Sequence, residues 1–398
     1  MKSKMFVVNE TTLEESKRTN IAKVKVPIKE ETNKKTKCTE RKITTHFVSS
    51  TNSIMADLLQ LELGDYIFFW CEKSKQSQKS TIHGVYRVIS KPYYHFDDNN
   101  DIMPFKIQIE EAYHFEKPIT EYDVLNSPFV KKSLWNLMGK KISGKPRGSI
   151  QITNDEANVL LSLLLSKNPN FTFNKPDETR FINLPGHLPG IEEIVKPLSI
   201  DLSLSGDKLQ KPSLENLSTY DMYHYVHLNK QRKLHYEKSL EGLFNQEIVY
   251  KNATFFKELK IDIDKIMWFG NYLPYSLDAT EMDYLIILSE DGFNPSSACV
   301  IEFKTKGLED IENDTHFYRS IIYSKWVNEN LFNGASITRP IIICEECPYF
   351  DNPQDEKESK MVDFYKKMEC GYKSYNVLPV EIYTINFQTE EPTFKRKK

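Results

Sequence analysis

The chain has 398 residues, of which 39% are hydrophobic and 27% charged, and its formal net charge is −3. No apolar run approaches the ~20 residues that a membrane-spanning helix requires, and no Gly-x-x-x-x-Gly-Lys-Ser/Thr motif of a nucleotide motor is present. The six cysteines are scattered along the sequence, which indicates reduced thiols rather than a disulfide scaffold. We therefore expect a cytoplasmic protein with no membrane contact and, at this length, two domains.

Charge is divided unevenly between the two ends of the chain. Residues 1–150 contain 25 Lys and Arg against 18 Asp and Glu, a net charge of +7, whereas residues 151–398 carry −10. A basic part attracts phosphates, and an acidic part supplies the carboxylates that metal chemistry needs. The split predicts a nucleic-acid-binding module followed by a catalytic one.

Short apolar strands separated by turns are predicted in the basic part. In chain order they cover residues 6–9, 63–70, 82–89 and 105–109, with Pro92-Tyr93-Tyr94 after the third strand and a helix after Thr153. The order Gly-Asp, strand, loop, Gly-Val-Tyr-Arg-Val resembles the EVE domain of the PUA-like superfamily, relatives of the YTH readers. The resemblance spans about residues 4 to 167. It implies a small PUA-like β-barrel with helices, an α+β fold, over residues 1–167.

Such a domain implies a concave pocket that accepts a single base, often modified and flipped out of its strand. Reading a base requires aromatic faces for stacking, polar groups for the base edge and cations for the phosphates. The aromatic candidates are Trp70, Tyr93, Tyr94 and Trp135, and the polar ones are Ser49, Ser50 and Asn52. The basic candidates are Lys131, Lys132, Lys140, Lys141, Lys145 and Arg147.

Each of these assignments has a structural alternative. Trp70 ends an apolar strand and also fits a core position, and the same choice applies to Tyr93 and Tyr94. The lysines also fit an ordinary solvated surface. The family usually has a tryptophan near Ser49 and Ser50, where this chain has a histidine and a phenylalanine. We therefore expect the pocket to hold something other than the usual ligand.

Residues 168–212 are rich in Pro, Asn, Asp and Ser and include two Leu-Pro-Gly triplets. This composition is typical of a linker with local turns. The remaining residues, 213–398, are predicted to form the second domain. Within them Cys344 and Cys347 form a Cys-x-x-Cys, but no second pair accompanies it, so a zinc site is not expected.

A helix is predicted over residues 234–244, where Leu240, Leu243 and Phe244 recur at helical spacing. Glu237 and Glu241 lie one turn apart beside this apolar face. The Glu-x-x-Leu-Glu pattern resembles the first helix of the nuclease core in restriction and DNA-repair enzymes, which implies an acidic site residue on this helix. We favour Glu241, and nothing in the spacing excludes Glu237.

Two strongly apolar strands then flank a loop that contains Asp-Gly and Asn-Pro. The strands cover residues 283–288 and 299–304, and the loop covers 289–297. Residues two apart in a strand share a face, so Glu302 and Lys304 point the same way. Pairing the strands as a hairpin brings Asp283 beside Glu302, with Lys304 next to both.

Two adjacent carboxylates repel each other unless a cation lies between them, and Mg²⁺ accepts such oxygen ligands while keeping several waters. One of those waters can attack a phosphodiester, and a neighbouring lysine can orient it. Asp283, Glu302 and Lys304 therefore form a minimal set for metal-assisted phosphodiester hydrolysis. The structural alternative is that Glu302 and Lys304 form an ordinary cross-strand ion pair at a sheet edge and that Asp283 is a turn residue at the start of its strand.

This pattern resembles the PD-(D/E)xK superfamily of restriction-endonuclease-like nucleases, over roughly residues 230–388. A helix over 315–330, a buried strand over 339–344, a helix near 360–368 and a strand over 380–385 follow the hairpin in the family's order. The family's proline before the aspartate is replaced by Met282. The resemblance implies an α/β core with a mixed sheet, catalytic Asp283, Glu302, Lys304 and Glu241, and a metal, Mg²⁺ or Mn²⁺, on Asp283, Glu302 and Glu241.

Together the two halves predict a restriction-type, Mg²⁺-dependent DNA endonuclease whose EVE-like domain recognises a modified or flipped base. A homodimer is expected if both strands of a duplex are cut. One alternative is a nuclease that acts on RNA or on a DNA-repair intermediate. Another is a reader of modified nucleic acid that has no catalytic activity.

Overall fold

The structure is a computed structural model of the chain, and its coordinates divide into two compact units, Met1–Tyr225 and Val226–Lys398. The structure describes residues 2–24, 29–32, 39–42, 54, 56–73, 79–94, 103, 105–127, 148–175, 218–219, 237–275, 280–304, 315–332, 334–345, 347, 376–387 and 392–397. The sequence analysis divides the chain at a nearby position, with the second domain beginning at residue 213. Each unit has its own β-sheet.

The N-terminal unit contains twelve strands and three helices among its described residues. The strands are β1 Ser3–Val8, β2 Ile21–Val24, β3 Lys29–Thr32, β4 Thr39–Lys42, β5 Tyr66–Cys71, β6 Thr81–Val88, β7 Tyr93–Tyr94, β8 Phe105–His114, β9 Ile119–Thr120, β10 Ser149–Ile152, β11 Thr172–Phe173 and β12 Ser218–Thr219. The helices are α1 Glu10–Thr19, α2 Glu121–Leu125 and α3 Asn154–Lys167.

Ten of these strands form one curled sheet, while β3 and β4 pair separately. In its main path β10, β1, β5, β6, β8, β7 and β12 follow one another as hydrogen-bonded neighbours. The first strand is central: β1 pairs with β10 in the antiparallel sense and with β5 in the parallel sense. Met5, Phe68 and Ile152 from these strands meet Leu160 of α3 in the core. The sequence predicts a small β-barrel with helices, and the structure confirms an α+β fold with a curled half-barrel sheet for this part of the chain.

Charged groups buried in the N-terminal unit have hydrogen-bond partners. The fully buried Lys4 donates to the Asp57 carbonyl and, at 2.7 Å, to Gln60 Oε1. Asp65 accepts from two backbone N–H groups at 2.8 and 2.9 Å. Arg87 donates to Glu110 and, at 3.0 Å, to the Asn174 carbonyl. These contacts replace the water that the charges lose on burial.

The C-terminal unit contains six strands and three α-helices among its described residues. The strands are β13 Ile266–Pro274, β14 Glu281–Ser289, β15 Pro295–Lys304, β16 Ile337–Cys344, β17 Glu381–Asn386 and β18 Thr393–Arg396. The helices are α4 Glu237–Val249, α5 Ala253–Lys257 and α6 Thr315–Leu331. The six strands form one sheet in the order β13 to β18.

This sheet is mixed, as the sequence predicts. The pairs β13–β14, β14–β15 and β17–β18 are antiparallel, and β15–β16 and β16–β17 are parallel. Helix α4 packs on β13 and β15, whereas α6 packs on β15 and β16. The Phe244 ring of α4 lies 5.0 Å from the Phe303 ring and 5.7 Å from the Tyr284 ring. The resulting core fixes the hairpin of β14 and β15.

The structure differs from the sequence analysis at several boundaries. The first strand ends at Val8 because the Asn9 side chain caps α1 by accepting from the Thr12 N–H. Part of the predicted linker belongs to the N-terminal sheet, since β11 pairs with β8. Strand β12, which falls within the predicted second domain, pairs with β7 of the same N-terminal sheet. Strands β13 and β18 were not predicted, and the predicted helix near residue 360 lies outside the described residues. No helix in the described part of the chain is both long and apolar enough to span a membrane.

Candidate active site

Asp283 and Glu302 lie opposite each other at one end of the hairpin. The register of β14 and β15 pairs Tyr284 with Ile301, which puts Asp283 and Glu302 at the next position. The Asp283 carboxylate accepts the Phe303 backbone N–H at 3.0 Å through Oδ2. The Asp283 side chain therefore accepts a hydrogen bond that a main-chain carbonyl accepts further along the hairpin. The regular backbone pairing of β14 with β15 ends at this residue.

The ladder on the other side of Asp283 is also interrupted. The register of β13 and β14 passes from Asn271–Tyr284 to Leu273–Met282, so Tyr272 stands across from Asp283. Tyr272 has φ 54°, a left-handed conformation that is unfavourable for an aromatic residue. The sheet thus departs from regular pairing on both sides of Asp283, which frees the carboxylate for contacts of its own.

The Lys304 ammonium contacts three carboxylates at this end of the hairpin. Its Nζ lies 3.5 Å from Asp283 Oδ2, 3.6 Å from Glu302 Oε2 and 3.6 Å from Glu237 Oε1. Lys304 Nζ also donates to the backbone carbonyl of Phe303 at 2.7 Å. Burial opposes the charged form, yet the three carboxylates raise the pKa of Lys304 overall. The lysine is therefore charged and balances part of the acidic cluster.

Glu302 is the most deeply buried carboxyl group that Lys304 contacts. Its residue is 3% exposed, and Oε1 has no hydrogen-bond partner among the described residues. Burial, and then the charge of Asp283, raise the pKa of Glu302 well above its usual range. A buried carboxylate oxygen without a donor is costly, so the arrangement favours a proton or a cation at this oxygen.

A tyrosine pair on the same face of the sheet adjoins the acidic cluster. Tyr323 of α6 is 1% exposed, and its ring lies 4.7 Å from the ring of Tyr275. Burial and the negative charge of Glu302 raise the pKa of the Tyr323 hydroxyl. The tyrosine therefore stays neutral, keeps its proton and forms an apolar wall beside the carboxylates.

The two helical glutamates occupy different positions. Glu237 is part exposed and contacts Lys304 directly, and burial together with Asp283 raises its pKa. Glu241 is fully buried, lies 3.5 Å from Lys238 Nζ and accepts from Asn271 Nδ2 at 3.0 Å. The structure thus brings Glu237 to Lys304, and it links Glu241 to strand β13 instead.

Two residues that the sequence analysis did not single out hold this helix in place. Asn271 of β13 donates to Glu241, and Asn245 accepts the Tyr284 hydroxyl proton at 2.5 Å. Burial raises the pKa of Tyr284 well above its usual range, so it remains a donor. An asparagine within the apolar run of β13 was the available signal, because a polar residue in a buried strand needs a partner.

The donor set suits a hard cation only in part. No group of three or more His, Cys, Asp or Glu side chains within the described ranges is arranged to hold a metal ion. Asp283 and Glu302 nevertheless present adjacent oxygens, including the unbonded Glu302 Oε1. Mg²⁺ in proteins is usually held by one or two carboxylates together with waters and substrate phosphates. The pair therefore meets the minimum for Mg²⁺ or Mn²⁺.

The base-reading candidates of the N-terminal unit fall into two groups. Trp70 belongs to the hydrophobic core, and the buried Tyr93 hydroxyl accepts from Gln108 Nε2 at 2.9 Å. Both have structural contacts, and base stacking by them stays a prediction. The remaining candidates lie outside the residues, or the side chains, that the structure describes: Ser49, Ser50, Asn52, Tyr94, Lys131, Lys132, Trp135, Lys140, Lys141, Lys145 and Arg147.

Comparison with known protein families gives one match. Residues 27–163 match the sequence model of the EVE domain. The N-terminal unit therefore contains an EVE domain, which confirms the resemblance predicted for this part of the chain. No curated protein matches the chain significantly.

Several solved structures are similar to part of the chain. A protein from Agrobacterium tumefaciens, Atu2648, shares 14% identity with a TM-score of 0.27, covering 44% of this chain and 100% of that one. Human THYN1 in complex with DNA containing 5-methylcytosine shares 12% identity, with a TM-score of 0.24 and coverage of 41% and 97%. The YTH domain of Mmi1 in complex with RNA shares 15% identity, with a TM-score of 0.23 and coverage of 41% and 79%.

Proposed function

We propose that this chain is a metal-dependent DNA endonuclease of restriction type whose EVE domain selects the substrate. The observation that carries the proposal is the contact of one partly buried ammonium, Lys304, with three carboxylates at the irregular end of a hairpin. Charges gathered in this way are expensive to bury. Ionisable groups with shifted pKa values that share one site are typical of catalytic centres.

The proposed roles follow from the position of each group. Asp283 and Glu302 hold the metal ion through carboxylate oxygens, with Glu241 or Glu237 as a third acidic group. Lys304 orients the attacking water and offsets the negative charge that develops on the phosphorus oxygens. When bound, Mg²⁺ or Mn²⁺ supplies Lewis-acid stabilisation and a water of lowered pKa. Tyr323 and Tyr275 exclude bulk water from one side of the cluster.

The EVE domain gives the proposal its substrate class. The family match over residues 27–163 and the net charge of +7 on residues 1–150 both support nucleic acid as the ligand. We propose DNA that carries a modified base, read in a flipped conformation. The same chemistry applied to RNA or to a repair intermediate is the alternative substrate.

A second function, a reader without catalysis, is favoured by one observation. No described set of three or more acidic, His or Cys side chains is ready to hold a metal, and Lys304 lies among the carboxylates instead. In that case the ion-paired cluster only stabilises the hairpin. The two functions predict different results when Mg²⁺ is added to bound DNA: the nuclease cuts the DNA, and the reader leaves it intact.

The deciding experiment compares the wild type with Asp283→Asn on matched unmodified, cytosine-modified and adenine-methylated DNA, with and without Mg²⁺. We expect Mg²⁺-dependent cutting of one substrate by the wild type and none by the variant, while binding is retained. Glu290→Gln is the matched control, because Glu290 lies at the far end of the hairpin and pairs with Lys265 at 2.7 Å. Undiminished cutting by Asp283→Asn contradicts the nuclease assignment, and binding without any cutting supports the reader.

A further comparison assigns the third carboxylate. Glu237→Gln and Glu241→Gln remove the same charge one helical turn apart, which is ~5.4 Å along the axis. The true ligand is the one whose loss raises the Mg²⁺ concentration required for half-maximal cutting. If neither substitution changes this concentration, the site uses only Asp283 and Glu302.

A further inference from the structure

Two lysines at the last strand of the C-terminal sheet, Lys395 in β18 and Lys397 just after it, lie in line with the proposed catalytic residues. One row of paired residues consists of Lys304, Cys344, Thr384 and Lys395. The adjacent row on the same face starts with Glu302, Ile342 and Ile382, and there the Lys397 N–H donates to the Ile382 carbonyl at 2.8 Å. Paired residues of neighbouring strands point to the same face of a sheet. Lys395 and Lys397 therefore share a face with Lys304 and Glu302.

The distance between the two ends of these rows is set by the sheet. Neighbouring strands are about 4.8 Å apart, so three steps from β15 to β18 span roughly 14 Å between Cα atoms. Phosphates follow one another at ~3.4 Å of axial rise along a DNA strand, so this span corresponds to about four base pairs. A duplex that runs along the edge of the sheet where β15 and β16 end, at Lys304 and Cys344, with its scissile phosphate at Asp283, thus reaches Lys395 of β18.

The charge of β18 also fits this partner. Lys395 is exposed, and it forms no salt bridge with any described residue. Arg396 points to the opposite face, where it lies 3.5 Å from Glu381. The C-terminal unit, residues 226–398, contains 22 Lys and Arg against 28 Asp and Glu, a net charge of −6, so an acidic unit that binds DNA needs local cations to offset phosphate repulsion. The two lysines supply that charge on the face of the site.

We propose that Lys395 of β18 and Lys397 just after it form a phosphate-binding strip, which contacts the backbone of the nucleic acid whose scissile bond lies at Asp283, Glu302 and Lys304. This inference rests on the proposed function for the position of the scissile bond. The strip holds the substrate without reading its sequence, because contacts to phosphates carry no base information.

The test measures binding separately from cutting. The full-length Asp283→Asn protein, with and without Lys395→Gln and Lys397→Gln, is titrated with a DNA duplex at several salt concentrations. Each lost phosphate contact lowers the slope of log affinity against log salt by about 1, so we expect a decrease of about 2. In a cutting-competent protein the same pair of substitutions is expected to raise KM and leave kcat unchanged. Lys265→Gln, at the opposite end of the same sheet, is expected to leave both quantities unchanged.

The outcomes separate this inference from the proposed function. A slope that does not change, or that changes equally with Lys265→Gln, overturns the strip. If the lysine-to-glutamine variant aggregates more and its slope is unchanged, the lysines protect the exposed edge of the sheet. That result also overturns the phosphate-binding strip. Lysine-to-arginine substitutions at both positions keep the charge and are expected to keep the slope. A decreased slope in a protein that never cuts DNA supports the strip and rejects the nuclease.

Discussion

Both units of this protein bury charged side chains, but they satisfy them differently. In the N-terminal unit the fully buried Lys4 and the buried Asp65 have close hydrogen-bond partners. In the C-terminal unit Glu302 keeps a carboxylate oxygen without a donor, and Lys304 contacts its three carboxylates at 3.5 to 3.6 Å. Close hydrogen-bond partners offset part of the cost of burying a charge, whereas a buried carboxylate oxygen without a donor is open to a ligand. The difference distinguishes the hairpin at which we propose the catalytic site.

The largest expected effect comes from neutralising the unsatisfied group. We expect Glu302→Gln to reduce cutting by about 10³-fold or more, since loss of a metal-binding charge removes several kcal/mol of transition-state stabilisation. The same change removes a buried, poorly partnered charge, so the free energy of unfolding of this unit is expected to stay constant or rise by up to about 2 kcal/mol. Single-turnover cutting and hydrogen exchange of the unit's peptides measure the two effects. If Glu302→Gln is inactive and also strongly destabilised, Glu302 stabilises the fold, and the contrast drawn between the two units is wrong.

The matching change in the N-terminal unit is expected to act on stability alone. Arg87→Met leaves Glu110 without its partner, which is expected to cost about 3–5 kcal/mol of unfolding free energy. The double variant Arg87→Met/Glu110→Gln removes both charges and is expected to recover much of that loss. Chemical denaturation followed by hydrogen exchange distinguishes the two variants. Equal stability of the single and double variants shows that Arg87 acts only through packing.

A smaller effect is expected from pH. Burial raises the pKa of Asp65 to about 6 despite the nearby Lys2 charge, and the unfolded value is ~3.9. A carboxyl with a raised folded pKa contributes its full stabilisation below the unfolded pKa and loses it as pH rises through the folded one. Unfolding free energy of the N-terminal unit is therefore expected to fall by about 3 kcal/mol between pH 4 and 7.

The control for this pH dependence is Asp65→Asn, which cannot ionise. Its stability is expected to vary less over the same pH range, although it loses an acceptor for one of the two backbone N–H groups. Denaturant titrations at several pH values measure the difference. An identical pH profile in the variant assigns the effect to another group.

The smallest expected effect concerns the N-terminal cap of helix α3. The Thr153 side chain accepts from the Glu156 N–H while Glu156 reaches back to the Thr153 N–H, a capping box at the start of α3. Thr153→Ala is expected to destabilise the N-terminal unit by about 1 kcal/mol. Thr153→Ser keeps the hydroxyl and is the control. Any effect of Thr153→Ala on cutting greater than its effect on stability is inconsistent with a separate C-terminal site.

The sequence was sufficient to predict the hairpin and the neighbourhood of its charges. Apolar strands around a turn place Asp283 beside Glu302 by period alone, and the structure pairs them in this register. The choice between Glu237 and Glu241 was open because both lie on one helix face. In the structure Asn271 distinguishes the two glutamates, because it donates a hydrogen bond to Glu241. The left-handed backbone of the next residue, Tyr272, is not indicated by any sequence pattern.

In the N-terminal unit the family could be predicted and the pocket could not. Turns and short strands indicate an EVE domain, and residues 27–163 match its sequence model. Whether an aromatic ring faces the core or a ligand depends on packing, which the alternation of apolar and polar residues along a strand does not reveal. Trp70 illustrates this, since its ring lies in the hydrophobic core.

The position of β1 determines how the N-terminal unit can be isolated. The family match begins at residue 27, yet β1 Ser3–Val8 lies between β10 and β5 in the interior of the curled sheet. A fragment limited to residues 27–163 lacks this strand and exposes the unpaired backbone of both neighbours. The smallest fragment that keeps this part of the sheet therefore includes β1, and during synthesis the backbone of β1 is paired on both sides only after β10 Ser149–Ile152 has been added.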